Sequence, residues 1–405
     1  MKKYIFFTTT IRNMGGAQSY LRTKMLWLKS QGWEVDIIYA VGENVAIPEL
    51  REFKHRFPEI QYPTFWYNSL ARKRLKKQIL SIINASKYDE IIIESTVVYT
   101  STWGEFIAKD LGAKHIIFSL QENNEQSNTS LIDFLKYKYD RNEIAGIGEK
   151  SVYEMLKSQI HESDYTVRKL VAYMGSPVEE YEYPLTETLK NKGYDYIIGS
   201  ICRLNKPIVI PTAKKVLSFA IKYPENRFAL VLVGDSPNGD NSRQEIESMF
   251  EGVKNIDLYI TGYIYPIPLQ LIRTFNLAYS TAGSAGVSQR AGIPTISIDA
   301  KDLEPIGIVG YTTNNRLFRQ EEPIIPFENY LESILLDKEY LLTEPVKMPP
   351  IDFKEHFDFI DKSSKQREYY KVETLDWNNN QIKQKAFFRI FNPILIDEIK
   401  KVIKN

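Results

Sequence analysis

The chain has 405 residues, 43% of them hydrophobic and 25% charged, with a formal charge of +1, a balance that excludes the broad basic field of a nucleic-acid binder. Its length exceeds the ~250–300 residues at which one core stops growing, so two domains are expected, and the single Cys202 excludes an internal disulfide framework. No apolar stretch reaches the ~20 residues of a membrane-spanning helix and no signal-peptide pattern opens the chain, so the expected setting is reduced and cytoplasmic, with any membrane contact peripheral on the inner face.

The first predicted strand, "YIFFTT" (4–9), runs into "NMGGAQSYL" (13–21). A glycine pair between a strand and a helix brings bare backbone N–H groups to a helix N-terminus, where a phosphate can approach without meeting a Cβ. Gly15 and Gly16 are therefore anion-site candidates, or else a tight turn with no ligand. Further strands are predicted at "VDIIYA" (35–40), "YDEIIIEST" (88–96), "KHIIFSL" (114–120) and "EIAGIG" (143–148), each apolar enough to be buried on both faces. Helical spacing lies between them, stopping at Gly32 and Gly112. This alternation predicts a parallel, doubly wound sheet.

The pattern restarts after "MGSPVEEYEYPLTETLKNKG" (174–193), which is rich in turn formers and charge. Strands follow at "YDYIIGSICRL" (194–204), "RFALVLVGD" (227–235), "NIDLYITGY" (255–263), "NLAYST" (276–281) and "IPTISID" (293–299). The expected organisation is an α/β domain over 1–180, a second over 190–355, and a helical tail over 356–405 that crosses back to the first. Two Rossmann-like doubly wound domains facing each other across a cleft would gather the carboxyl ends of both strand sets around it.

In order, "IIGSICRLNK", "LVLVGDSP", "ITGYI", "NLAYSTAGSAG" and "QRAGIPTISID" resemble the donor-binding half of GT-B glycosyltransferases, in particular the large family four, whose chains also carry a Gly-Gly-Ala loop after the first strand. The resemblance spans roughly residues 4–310 in order of elements. It implies a UDP- or GDP-sugar donor, a glycan or lipid-linked glycan acceptor, retention of configuration, and no metal or other cofactor. Arg203 and Lys206 resemble the basic pair that neutralises the diphosphate leaving group, at a shorter spacing than the family's. Gly262 and Tyr263 resemble the turn that reads the nucleobase. Gly15 and Gly16 would lie near the donor phosphate, and Gln18 near the acceptor.

"STAGSAGVSQRAGIP" (280–294) departs from the family, which carries two glutamates here; Val287 stands where the second is expected. Gly283, Ser284, Ala285 and Gly286 are read instead as a backbone anion site leading into a helix from Val287, with Ser284 as a ligand or as the helix cap. A carboxylate is then sought elsewhere. Glu122, with Gln121 before it, follows the fourth strand and could act as general base or steady an oxocarbenium charge. Glu125 and Glu94 are second choices, and Glu304 is a donor-side candidate.

Neither "GxxxxGK[ST]" nor "GxGxxG" occurs, no Asp-x-Asp sits on a suitable loop, and His55, His115, His161 and His356 are scattered without metal-ligand spacing. Two basic stretches, "LARKRLKKQIL" (70–80) and "IKQKAFFRIFNPILIDEIKKVIKN" (382–405), suit an anionic bilayer or a lipid diphosphate, or are a solvated helix face and a packed tail. The reading is a glycosyltransferase of surface polysaccharide or glycoconjugate synthesis. The alternative is a GT-B-shaped protein without catalysis that binds glycan or supports a partner transferase. An epimerase of the same architecture has no residue in its favour.

Overall fold

The computed structural model describes residues 1–12, 14–42, 45–121, 125–126, 128–236, 239–340, 351–363 and 368–375. Two units form: Met1–Tyr173 together with the chain from Ile351, and Met174–Pro350.

In the first unit the elements run β1 (Lys2–Thr10), α1 (Gly16–Ser30), β2 (Glu34–Val41), α2 (Ser69–Ile83), β3 (Glu90–Ser95), α3 (Val98–Leu111), β4 (Lys114–Ser119), α4 (Thr129–Asp140), β5 (Ile144–Gly146) and the short α5 (Tyr153–Leu156). The strands form a five-stranded sheet in the order β2-β1-β3-β4-β5, parallel throughout. Tyr4, Ile5, Phe6 and Phe7 of β1 are wholly buried, so both faces of the central strand are covered, as its unbroken apolar run requires. Each such side chain contributes about 1.5–3 kcal/mol by leaving water. Helices start and stop where the local chemistry predicts. The side chains of Asn68 and Asn128 accept from Ala71 N and Leu131 N, and Gly112 ends α3 with φ 60°.

The second unit runs β6 (Val178–Glu179), α6 (Pro184–Asn191), β7 (Tyr196–Ile201), α7 (Val209–Lys222), β8 (Phe228–Val233), α8 (Ser242–Phe250), β9 (Ile256–Ile260), β10 (Ile267–Pro268), α9 (Leu269–Ile272), β11 (Leu277–Ser280), α10 (Ala282–Arg290), β12 (Thr295–Ile298), β13 (Pro305–Ile308) and α11 (Phe327–Leu331). Its main sheet has the order β13-β12-β11-β7-β8-β9, with β13 alone antiparallel. The turn-rich stretch 174–193 holds β6 and α6, and β6 pairs with β10.

A last helix, α12 (Lys354–Lys362), belongs to the first unit. Phe353 packs on Trp27 and Tyr20, and Phe357 on Tyr4, Trp27 and Trp33. The basic stretch 382–405 lies outside the described residues. Among the described residues no helix is long and apolar enough to cross a membrane.

Candidate functional site

In an open parallel sheet a ligand crevice opens at the carboxyl ends of the two strands where the chain reverses its direction of winding. In the second unit those strands are β7 and β11. From β7 the chain winds outward through β8 and β9, then returns to place β11 on the other side of β7, with Tyr279 opposite Ser200. Ser280 Oγ ties the two carboxyl ends together by donating to Ile201 O at 2.9 Å.

Arg203 and Lys206 follow β7 directly. Lys206 N donates to Arg203 O at 3.2 Å and Leu204 N to Asp235 O at 3.2 Å, so the loop is folded back onto the end of β8. Gly234 is required for that approach: at φ 152° a Cβ there would stand 1.8 Å from Cys202 O. Arg203 is exposed and Lys206 half-buried, and among the described residues neither side chain has an ion pair. Burial, with Arg203 adding to it, holds the Lys206 ammonium below the ordinary lysine range. The Cys202 thiol is pushed up by burial. Gly262, at φ 75°, turns the chain after β9 and leaves Tyr263 exposed, with its phenol pushed up by burial and then by Asp235, while Arg203 opposes. Leu204 N on Asp235 O, and the Gly262 backbone beside Asp235 Oδ2, bring the loops after β7, β8 and β9 together on one edge of the sheet.

The expected start of the helix after β11 needs correction. Gly283, Ser284, Ala285 and Gly286 are not a loop leading to Val287; they are the first turns of α10, which begins at Ala282. Thr281 occupies the N-cap position, so Ser284 is not the cap. No side chain caps this end: Thr281 Oγ1 donates instead to Arg316 O at 3.3 Å, and Ala282 N donates to the same carbonyl at 2.5 Å. Ala282 has φ 54°, a left-handed conformation that a residue with a Cβ seldom adopts. Val287 is buried among the apolar residues of the sheet face, with Ile197 and Ile201. Val287 is therefore part of the core.

Glu304 is engaged by both carboxylate oxygens with Lys215 Nζ of α7, each at 2.7 Å.

The winding of the first unit reverses between β1 and β3. Gly15 caps α1 with extended backbone and no side-chain hydrogen bond, and Gly16 is the first helical residue, so the N–H groups of that first turn follow the end of β1 without a side-chain acceptor. Gln18 is buried and its amide donates to Thr10 O at 3.1 Å, which fastens the loop to β1. Gln121 is exposed after β4, its backbone held by Ser119 Oγ. Glu122 lies outside the described residues, and Glu125 pairs with Lys157 at 3.0 Å. Glu94 is 1% exposed, a carboxylate held by the hydroxyls of Tyr4 (2.6 Å) and Tyr20 (2.7 Å) and by Lys24 Nζ, which also meets His356 Nδ1 at 2.9 Å. That network joins α1, β1, β3 and α12 and keeps the carboxylate buried, so Glu94 is an internal tie.

Two associations were not visible in the sequence. Ser95 Oγ lies 3.0 Å from His115 Nε2, and His115 Nδ1 lies 2.7 Å from Glu105 Oε2. The connectivity is that of a nucleophile–base–acid relay. All three are buried, and Lys138 Nζ also binds Glu105 at 3.0 Å, so the relay is an internal tie. Gly104 of α3 permits it, since a Cβ there would stand 2.5 Å from Ser95 Oγ. The second association joins Arg290 and Arg316 beside Gly286.

No family model matches the chain, and no curated protein matches it in sequence. Solved structures do match. A glycosyltransferase from Rickettsia africae aligns over 96% of this chain and 98% of its own with TM-score 0.57 and 15% identity, and Anabaena HepE in complex with UDP and glucose over 95% and 99% with TM-score 0.54 and 14% identity. The fold is GT-B. UDP-GlcNAc 2-epimerase from Neisseria meningitidis aligns over 96% and 99% at 13% identity, with TM-score 0.43. At these identities the likeness concerns the GT-B fold alone.

Proposed function

We propose that the chain is a glycosyltransferase that moves a sugar from a UDP- or GDP-sugar to a hydroxyl of a glycan or lipid-linked glycan acceptor. One observation carries this reading: two cations without carboxylate partners, Arg203 and Lys206, and the uncapped N-terminus of α10 follow the two strands that flank the winding reversal. A nucleoside diphosphate is the ligand chemistry that such a crevice suits. HepE, of the same fold, is crystallised with UDP and glucose, which supports the choice.

On this reading the second domain works on the leaving group. Breaking the sugar–phosphate bond puts charge on the diphosphate, and fixed cations and N–H groups stabilise that charge more in the transition state than before it. α10 has no carboxylate, so the protein supplies position and charge rather than a covalent partner. Gln121 carries no charge, which leaves Glu122 as the carboxylate proposed to steady the developing oxocarbenium charge while the acceptor's proton passes to the departing diphosphate. Retention and metal independence belong to the same proposal. The exposed Lys73, Arg74 and Lys77 of α2, beside Leu70 at 78% exposure, are the described surface proposed to rest on an anionic bilayer where a lipid-linked acceptor resides.

The test is release of nucleoside diphosphate from a panel of UDP- and GDP-sugars, to water as acceptor, by the full chain and by Arg203→Ala. Release that falls at least 100-fold in the variant is expected, the loss of one charge-stabilising group. Binding without release favours the second reading, a non-catalytic GT-B protein, for which the apolar Val287 speaks.

A further inference from the structure

Beside Gly286 on α10, two guanidinium groups reach one point. A Cβ built there would stand 2.5 Å from Arg316 Nη1 and 2.7 Å from Arg290 Nη1. Arg290 is half-buried on the last turn of α10, and Arg316 is exposed, on the loop whose carbonyl receives Ala282 N. Three arginines of this domain have carboxylates: Arg243 has Asp235 and Glu247, Arg273 has Glu180 and Arg319 has Asp302. Among the described residues the side chains of Arg290 and Arg316 have no carboxylate and no hydrogen bond. Burial, with Arg316 adding to it, lowers Arg290 to about 10. Like charges held together in partly desolvated surroundings are unfavourable unless an anion completes the arrangement.

The first pair lies on the loop after β7, whereas Arg290 lies on the last turn of α10 and Arg316 on the loop that receives Ala282 N. The sugar-linked diphosphate of a nucleotide sugar carries about two negative charges, which Arg203 and Lys206 already match. We infer that Arg290 and Arg316 form a second oxyanion subsite on this domain, which takes a phosphate or carboxylate group in addition to any nucleoside diphosphate. Paired guanidinium forks suit that chemistry, because each presents parallel N–H donors to two oxygens. Gly286 keeps the helix flank free of a side chain where the two forks meet. The inference does not depend on sugar transfer.

The experiment is thermal unfolding of the full chain titrated with sodium phosphate and, separately, sodium acetate, each against sodium chloride at equal ionic strength. The wild type and Arg203→Ala are expected to show the same saturable rise in midpoint with one of the two anions; which anion it is assigns the group. Arg316→Gln, a substitution of an exposed side chain, should weaken half-saturation at least tenfold, and Arg290→Gln likewise. Gly286→Ala, whose methyl displaces the flexible ends of both arginines, should fold and weaken it too. No saturable response to either anion, a response unchanged in Arg316→Gln, or one lost only in Arg203→Ala would overturn the inference. Loss of nucleotide release with the anion response intact would count against the transferase reading alone.

Discussion

Glu94 shows why a carboxylate near a strand end is not thereby catalytic. Its oxygens are taken by Tyr4, Tyr20 and Lys24, and Lys24 in turn meets His356 of α12. Removing one member leaves the others buried and uncompensated, so Glu94→Gln should lower the stability of the chain by about 3–5 kcal/mol in urea unfolding. The histidines set a pH dependence. Burial, with Lys138 adding to it, pushes His115 down from 6.5 to about 4, and burial and then Lys24 hold His356 well below its ordinary value. Both are neutral when folded, while the unfolded chain protonates them near pH 6.5. The unfolded state therefore binds more protons below that pH, and stability should fall from about pH 6.5 toward pH 4 by up to about 1.4 kcal/mol per pH unit for each histidine. Unfolding midpoints in urea across that range check this; a flat profile would contradict it. None of these partnerships was legible in the sequence, because spacing along the chain does not report which side chains a sheet and its helices bring together. Two of the scattered histidines, His115 and His356, are central ties of the first domain.

The strands were readable because each buried strand leaves a short apolar run, and the sites of the helix stops because Gly32 and Gly112 adopt φ 79° and φ 60°. α10 was not. "AGSAG" has the composition of a loop, and it is helical here because Thr281 and Ala282 anchor it to the carbonyl of Arg316. The hairpin partner β13 was also missed, since Pro305 and Gly307 weaken a strand reading that the edge position tolerates. Ala282 bears the cost of the sharp entry into α10. Ala282→Gly should relieve its left-handed conformation and raise stability by about 0.5–1 kcal/mol in the same urea assay, whereas a loss would mean that the methyl packs better than its backbone suffers.

At the scale of the molecule, one device recurs. In each domain a parallel sheet reverses its winding beside its first strand, and a helix whose N-terminus no side chain caps starts at the carboxyl edge there. The alternation of strands and helices made the α/β fold legible. The sugar, the base and the acceptor were not legible, because pocket side chains rather than the fold set them. On the proposed function, the crevice between β7 and β11 takes a nucleoside diphosphate. The direct measurement is a thermal-shift panel of UDP, GDP, CMP and dTDP on the full chain and on Arg203→Ala. One of the diphosphates at 100 times its dissociation constant should add about 2.7 kcal/mol to the wild type, and that gain should vanish in the variant. No shift with any nucleotide, or an equal shift in both proteins, would contradict the account.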